Sequence, residues 1–468
     1  MFTQFFDFVP AIMDAWQSLQ SSEQALLASA ITIVAAGTLT DILTSFVSRS
    51  GKTDLGNLKK AIPRKAHGIL FGRYRRKIIY SPTDTEGHVA VIGGSGSGKT
   101  SALLIPTLRA WTGSCLTIDI SGDICRNVQA ANKLIYEPSN PQTAPYNIFA
   151  PIDNLNNVSA KNEALAQLAY LLMPTTSKSD DAAAYFQTEG RKILIAALIA
   201  YYHQGLDFIP ICKKIISQSW QELFTNIDAS KNEQAILYIN GFAGSNEKNT
   251  SGCKQACDAA ITLFGTNDLL AKTVRRSQGD EKSYTPTILE NMNVFVAIED
   301  AKLELYAPLL HIITAQTLEY LSYRQINHKS KTILLALDEF VSLGNLAITP
   351  ALRKLRKKHV RIMILTQSLA DLDLYYGRDE RMSMLTNFRY LVVLGAGDSD
   401  TQEYLARLVG KHQTQTYSIS QNNKSITRTR SDAKDYIIDP ADFGRLGKHL
   451  ILIHDRGYLR LRKNFYFK

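Results

Sequence analysis

The feature that most constrains this chain is a glycine-rich loop between an apolar run and a segment with helical spacing. The run His88–Ile92 precedes the pattern G-x-x-x-x-G-K-[ST] at residues 93–100, and apolar residues at helical intervals follow in 101–110. Glycines suit such a loop because backbone N–H groups must turn inward around phosphates, where side chains would block the approach. The order of strand, loop and helix therefore predicts a nucleotide-binding P-loop.

The roles expected within the loop follow from its chemistry. Lys99 is predicted to reach the β- and γ-phosphates of ATP, and Thr100 to place its hydroxyl on Mg²⁺. The amino end of the following helix favours bound anions. The predicted nucleotide-binding residues are Gly93, Gly94, Ser95, Gly96, Ser97, Gly98, Lys99, Thr100 and Ser101.

Two further apolar runs end in polar residues that complete a catalytic site. Residues 332–337 suit a buried parallel strand and are followed by Asp338 and Glu339. Because strand carboxyl ends share one crevice, we expect Asp338 to hold Mg²⁺ through its water shell and Glu339 to polarise the attacking water. The run 360–365 precedes Gln367, which we expect beside the acids as a sensor of the γ-phosphate.

Other apolar runs indicate the sheet around this site. Residues 391–394 and 450–453 are predicted strands, and residues 116–120 are predicted to lie beside the P-loop strand. The resulting fold class is α/β, with a mostly parallel sheet that carries its nucleotide at one edge.

Charge and hydropathy indicate a membrane anchor near the start of the chain. Residues 25–47 are the only stretch approaching the ~20 apolar residues of a membrane-spanning helix, although Asp41 interrupts them. Residues 1–24 have no Lys or Arg, whereas ten basic residues lie between Arg49 and Lys77. This asymmetry predicts a single-pass anchor with the body in the cytoplasm. An amphipathic helix packed on a partner is the alternative.

The rest of the composition argues for a local rather than a global contact with nucleic acid. The net charge is +10, but the basic segment alone accounts for nearly all of it, so the remaining chain is close to neutral. The five cysteines form no CxxC pair, which favours a reducing compartment. Cys253 and Cys257 share a predicted helical face and are interpreted as small buried side chains rather than a metal site.

Three motifs together carry a family resemblance. The sequence GSGSGKT, the strand ending in DEF at residues 338–340 with SLGNL after it, and TQSLADLDLYYG at 366–377 resemble the TraG/TraD type of type IV secretion coupling protein. That family comprises membrane-anchored hexameric ATPases of conjugation in bacteria. The resemblance implies a RecA-like P-loop domain at 81–150 and 285–468 and an inserted all-α domain at 151–284. An N-terminal anchor segment at 1–48 and a basic juxtamembrane segment at 49–80 precede them.

The resemblance also implies an arginine that acts on the neighbouring subunit. Arg356 matches that position and would stabilise charge at the neighbour's γ-phosphate, with Arg353 and Arg361 as competing candidates. Two departures from the family are visible. Relatives carry two membrane helices where this chain offers one candidate, and Ser121 stands where many relatives place a lysine.

The function implied is an ATP- and Mg²⁺-dependent motor at the bacterial inner membrane. It would pass a relaxase-linked single DNA strand to a type IV secretion channel, as a homo-hexamer that also meets other relaxosome proteins. One alternative is a docking receptor that recruits protein substrates, with ATP serving assembly. Another is a double-stranded DNA translocase of the chromosome-segregation type, against which no winged helix follows Phe443. Residues 413–420 and 425–430 alternate like the two strands of a hairpin, where Arg428 and Arg430 would share a face.

Overall fold

The computed structural model describes residues 54–174, 181–344, 346–422 and 425–467. The chain packs as two units, Met1–Leu55 and Gly56–Lys468, and the strands and helices of the described residues all belong to the second. The predicted anchor at 25–47 lies outside the described residues. Within them, no helix combines the length and the apolar character needed to cross a bilayer.

Fourteen strands occur in the described residues. In chain order they are β1 (Lys59–Ala61), β2 (Gly68–Tyr74), β3 (Lys77–Pro82), β4 (His88–Ile92), β5 (Ser114–Asp119), β6 (Lys133–Tyr136), β7 (Asn293–Ala297), β8 (Ile333–Leu337), β9 (Val360–Thr366), β10 (Phe388–Val393), β11 (Lys411–Asn422), β12 (Ser425–Tyr436), β13 (His449–His454) and β14 (Gly457–Arg462).

The α-helices of the described residues are likewise numbered along the chain. They are α1 (Ile105–Ala110), α2 (Asp123–Asn127), α3 (Ala150–Asp153), α4 (Val158–Leu172), α5 (Asp181–His203), α6 (Phe208–Ile216), α7 (Trp220–Ala229), α8 (Glu233–Asn240), α9 (Glu247–Thr266), α10 (Leu270–Thr273), α11 (Leu303–Tyr323), α12 (Ile348–Leu355), α13 (Leu369–Tyr376), α14 (Arg378–Leu385) and α15 (Ser399–Val409). A π-helical turn, Lys99–Leu104, leads into α1.

One twelve-stranded sheet organises the unit, in the order β1-β3-β2-β14-β13-β10-β4-β9-β8-β5-β7-β6. The seven strands from β10 to β6 are all parallel to one another. Strands β4, β8 and β9 are buried along their whole length, as expected for parallel strands covered on both faces. The predicted α/β class and mostly parallel sheet are confirmed.

Two details of the predicted sheet are wrong. The P-loop strand β4 lies in the middle of the sheet, so the loop emerges there and not at one side. Strand β5 does not lie beside β4 as predicted, because β9 and β8 lie between them. Strand β5 pairs in parallel with β8. An apolar run such as Leu116–Ile118 can be buried equally well between any two parallel strands. Its sequence therefore does not identify the neighbouring strand.

The basic segment predicted at 49–80 is not separate from the nucleotide-binding sheet. Its strands β1, β2 and β3 form an antiparallel group at one end of that sheet, in the order β1-β3-β2, and β2 pairs with β14. The apolar side chains Ile69, Phe71 and Ile78 are buried, while Lys59 and Arg75 are exposed. Dense charge on either side obscured these short apolar runs, and the core therefore begins well before the predicted residue 81.

Between residues 150 and 273 the described elements are all helices. Helices α5 and α9 approach so closely that a Cβ on Gly190 would lie 2.5 Å from the Cys253 carbonyl oxygen. Cys253 and Cys257 are buried thiols among the residues of the hydrophobic core. The two cysteines therefore pack in the helical core, as predicted.

Hydrogen bonds join the two places where the chain passes between the sheet and the helical segment. Arg276, after α10, donates from Nε and Nη2 to the Asp153 carboxylate at 2.9 and 2.7 Å. Its backbone N–H donates to the Asp207 carboxylate at 2.7 Å. Such bidentate arginine–carboxylate pairs restrict geometry as well as adding energy. The entry and the exit of the helical segment are thereby held together.

Strands β11 and β12 form the predicted hairpin as a separate two-stranded antiparallel sheet. The strands are longer than predicted, since pairing runs from Lys411 with Tyr436 to Asn422 with Ser425.

Candidate nucleotide site

The P-loop leaves β4 and curls back on itself before the π-helical turn. Gly96 and Gly98 have φ values of 69° and 94°, in the left-handed region that favours glycine. A Cβ on Gly93 would lie 2.4 Å from the Ser97 Oγ. Backbone conformation therefore favours glycine at residues 96 and 98, and a larger residue at position 93 would have to displace the Ser97 side chain.

Lys99 lies inside this curl, and only 7% of its surface is exposed. Its ammonium donates to the Gly93 carbonyl oxygen at 2.7 Å and lies 4.0 Å from a carboxylate oxygen of Glu339. The lysine thus faces both the loop and the acidic strand end. An arriving phosphate would compete with these two contacts for the ammonium.

Thr100 and Asp338 meet across the sheet although 238 positions separate them in sequence. The Thr100 hydroxyl donates to a carboxylate oxygen of Asp338 at 3.0 Å. Burial raises the pKa of Asp338 to about 6, while the hydrogen bond from Thr100 opposes that rise. A divalent cation at this position would favour the ionised carboxylate. A hydroxyl beside a carboxylate is the oxygen donor set that suits Mg²⁺.

Glu339 and Gln367 end adjacent strands, as the pairing of β8 with β9 requires. The Gln367 amide nitrogen lies 3.5 Å from a Glu339 carboxylate oxygen. Glu339 has a φ of 44°, in the left-handed region that residues other than glycine seldom adopt. The structure therefore brings together Lys99, Thr100, Asp338, Glu339 and Gln367.

Arg356 lies elsewhere in the same chain. It follows α12 at the amino ends of the parallel strands, opposite the P-loop, and its Nε is 3.2 Å from the Glu86 carboxylate. Its side chain is 59% exposed. From this end of the sheet Arg356 cannot complete its own chain's site.

The two competing arginines differ in accessibility. Arg361 is only 2% exposed and donates to the backbone carbonyls of Thr85 and Asp84, so it is no longer a candidate for a role at a subunit surface. Arg353 is exposed and donates to the Ser383 hydroxyl at 3.2 Å.

One set of residues at the site was missed by sequence reasoning. Lys463, after β14, donates to the carbonyl oxygen of Ser97 at 2.8 Å, and the Tyr466 N–H donates to that of Ser101 at 3.0 Å. No local motif marks these residues, which are more than 360 positions from the P-loop. Only the position of β14 in the sheet brings them there.

The fold and the site define the class of P-loop NTPases. A glycine loop follows one buried parallel strand, an acid pair follows a second, and Gln367 follows the strand between them.

Comparison with known proteins gives the family. The model of the type IV secretory system conjugative DNA transfer family matches residues 51–468, so the chain belongs to that family. Protein VirD4 of Rhizobium rhizogenes is 24% identical over 423 residues, which cover 86% of this chain and 62% of VirD4. The chain thus spans about three fifths of the length of that relative.

Two solved structures share the fold. The plasmid coupling protein TrwB in complex with the ATP analogue ADPNP has a TM-score of 0.66 at 19% identity, covering 86% of this chain and 91% of TrwB. TrwB in complex with ADP and Mg²⁺ has a TM-score of 0.62 at 20% identity, with 81% and 85% covered. The RecA-like P-loop fold expected from the sequence is therefore shared with these structures.

Proposed function

We propose that this chain binds ATP with Mg²⁺ and hydrolyses it. The observation that carries the proposal is the hydrogen bond between Thr100 and Asp338, because it joins the P-loop to the acid pair in the arrangement a metal–triphosphate site requires. The complexes of TrwB with ADPNP and with ADP and Mg²⁺ support it from a protein of the same fold.

Each residue of the site has a defined task in this reaction. The loop amides and Lys99 bind the phosphates, and Thr100 with Asp338 would hold Mg²⁺, which neutralises phosphate charge. Glu339 would orient the attacking water and accept its proton. Gln367, whose amide lies beside Glu339, would contact the terminal phosphate. Through the contact between Gln367 and Glu339, the presence or absence of the terminal phosphate would affect the position of the catalytic base.

The second part of the proposal is the use of this energy. Membership of the conjugative DNA transfer family supports a coupling protein that drives a relaxase-linked single DNA strand into a type IV secretion channel. Arg356 is exposed at the opposite end of the sheet from its own P-loop, which suits a ring where it acts on the neighbour's nucleotide. We therefore propose a homo-hexamer, with single-stranded DNA, relaxosome proteins and channel subunits as partners.

The cellular location is proposed on the sequence pattern. The apolar stretch 25–47, with basic residues only after it, supports a single-pass anchor in the bacterial inner membrane and an ATPase body in the cytoplasm.

The test uses the full-length chain in detergent or nanodiscs. ATP hydrolysis with Mg²⁺ is measured with and without single-stranded DNA, beside Lys99→Ala as the control for contaminating activity. We expect hydrolysis that DNA stimulates and that Lys99→Ala abolishes. Equal hydrolysis in wild type and Lys99→Ala would refute the ATPase. Hydrolysis unaffected by DNA, with protein cargo recovered by the chain, would favour the docking receptor instead.

A further inference from the structure

The segment after β14, residues 463–467, contacts the P-loop on both sides of its catalytic lysine. Lys463 donates to the carbonyl oxygen of Ser97, which precedes Lys99, and Tyr466 donates to that of Ser101, which follows it. Between them, a Cβ on Gly98 would lie 3.2 Å from the Phe465 ring. The segment therefore follows the loop closely over several residues.

Lys463 also links the P-loop to the neighbouring strand. Its ammonium donates to the carbonyl oxygen of Leu394, directly after β10, at 3.0 Å. The Leu394 N–H in turn donates to the carbonyl oxygen of Ile92 at the end of β4, at 2.8 Å. One cation thus holds the P-loop backbone and the end of the adjacent parallel strand at a fixed spacing.

The hydrogen bond from Lys463 determines how the peptide between Ser97 and Gly98 is oriented. In a planar trans peptide the carbonyl oxygen and the following N–H point in opposite directions. Holding the Ser97 carbonyl towards Lys463 therefore turns the Gly98 N–H to the other side. In a P-loop the inward side is where backbone amides meet phosphate oxygens. Lys463 thus fixes an amide that the phosphate needs.

The charge of Lys463 is not balanced locally. Among the described residues no carboxylate forms an ion pair with it, and its hydrogen-bond partners there are the two carbonyls. Burial lowers the pKa of its ammonium, as expected for a partly buried cation without an acidic partner. A polyphosphate on the other side of the loop would supply the missing negative charge.

The rest of the segment is well anchored. The Asn464 side-chain oxygen accepts from Arg73 Nε at 2.7 Å. The Arg109 guanidinium lies 5.0 Å from the Tyr466 ring centroid and donates to the Tyr466 carbonyl oxygen at 3.4 Å. Lys463 therefore projects from a backbone fixed to both β2 and α1.

We propose that Lys463 is a positioning residue of the nucleotide site, which holds the P-loop backbone in the form that receives the triphosphate. The inference rests on the proposed binding of ATP. Because Lys463 acts on the loop and not on the reacting atoms, its loss should weaken nucleotide binding in the ground state and the transition state alike. A raised KM with a nearly unchanged kcat is the expected signature.

The experiment compares three variants of the full-length chain. Lys463→Met removes the ammonium, Lys463→Arg retains a cationic donor, and Arg460→Met removes a charge from the exposed side of β14. We expect Lys463→Met to raise the KM for MgATP and the Kd of a fluorescent ATP analogue about tenfold, as for losing one hydrogen bond from a charged donor. Lys463→Arg should recover most of the affinity, and Arg460→Met should match wild type.

Other outcomes overturn the inference. These are an unchanged KM in Lys463→Met, a fall in kcat alone, or an equal effect in Arg460→Met. If Lys463→Met does not fold, as judged by circular dichroism, Lys463→Gln is assessed by the same criteria. The proposed ATPase is tested separately by wild type and Lys99→Ala. Binding that is normal in wild type and unaltered in Lys463→Met refutes only the role of Lys463.

Discussion

Acidification should destabilise the fold through His88, the first residue of the P-loop strand. His88 is fully buried, and its Nδ1 accepts from the Ile362 N–H while its Nε2 contacts the Leu352 carbonyl oxygen, both at 2.9 Å. A backbone N–H can only donate and a carbonyl can only accept, so the ring is neutral with its proton on Nε2. Protonation of Nδ1 would set two donors against each other. It would thereby loosen β4 from β9 and α12.

The magnitude follows from the pKa. Burial is the main cause that lowers the pKa of His88 from 6.5 to about 4; the nearby Arg361 and Arg356 lower it further, and the hydrogen bond to Leu352 opposes the change. Between pH 6.5 and about pH 4, His88 is therefore protonated in the unfolded chain and neutral in the folded chain. Stability is fully present above pH 6.5 and falls as the pH approaches 4, by about 3 kcal/mol in all.

The assay compares wild type with His88→Gln. The free energy of unfolding is measured by denaturant titration at pH 7 and pH 4.5, followed by tryptophan fluorescence. We expect wild type to lose about 2 kcal/mol more than the variant over this interval. Asp338, whose raised pKa has the opposite effect, is present in both proteins and cancels in the difference. An equal loss in the two proteins would refute the reasoning.

Three further predictions concern catalysis and the junction of the helical segment. Glu339→Gln should retain binding of a fluorescent ATP analogue but lower kcat about 10²- to 10³-fold, because it removes the base; unchanged kcat would contradict this. Asp338→Asn should raise the Mg²⁺ concentration needed for half-maximal hydrolysis at least about tenfold, with an unaltered melting temperature, because it removes a charged ligand; an unchanged Mg²⁺ requirement would show that another group holds the metal. Arg276→Met should lower the free energy of unfolding by about 1–3 kcal/mol in denaturant titrations, because Asp153 would lose its bidentate cationic partner and keep the Tyr202 hydroxyl as a donor. Arg126→Met, at an exposed ion pair, should change the free energy of unfolding much less; equal effects would refute the structural role of the Asp153 pair.

The limits of sequence reasoning are clearest at the arginines. The spacing of basic residues near β9 could not distinguish Arg361 from Arg356, because both lie in one charged stretch. The two residues differ because Arg361 lies within the buried strand β9, where the loop before β4 covers it, whereas Arg356 precedes that strand. The roles of the site residues, the other domain boundaries and the membrane anchor at 25–47 remain predictions.

The sequence by itself determined the P-loop, the acid pair after β8 and the apolar strands, because these signals are written in contiguous residues. A glycine loop forms through its own backbone, and a buried strand shows as a short apolar run. Only the tertiary structure decided the order of the strands, the place of β1–β3 in the sheet and the contact of Lys463 with Ser97. Such contacts join residues that are distant in sequence, and a buried apolar strand packs equally well beside several neighbours, so no local pattern identifies the partner.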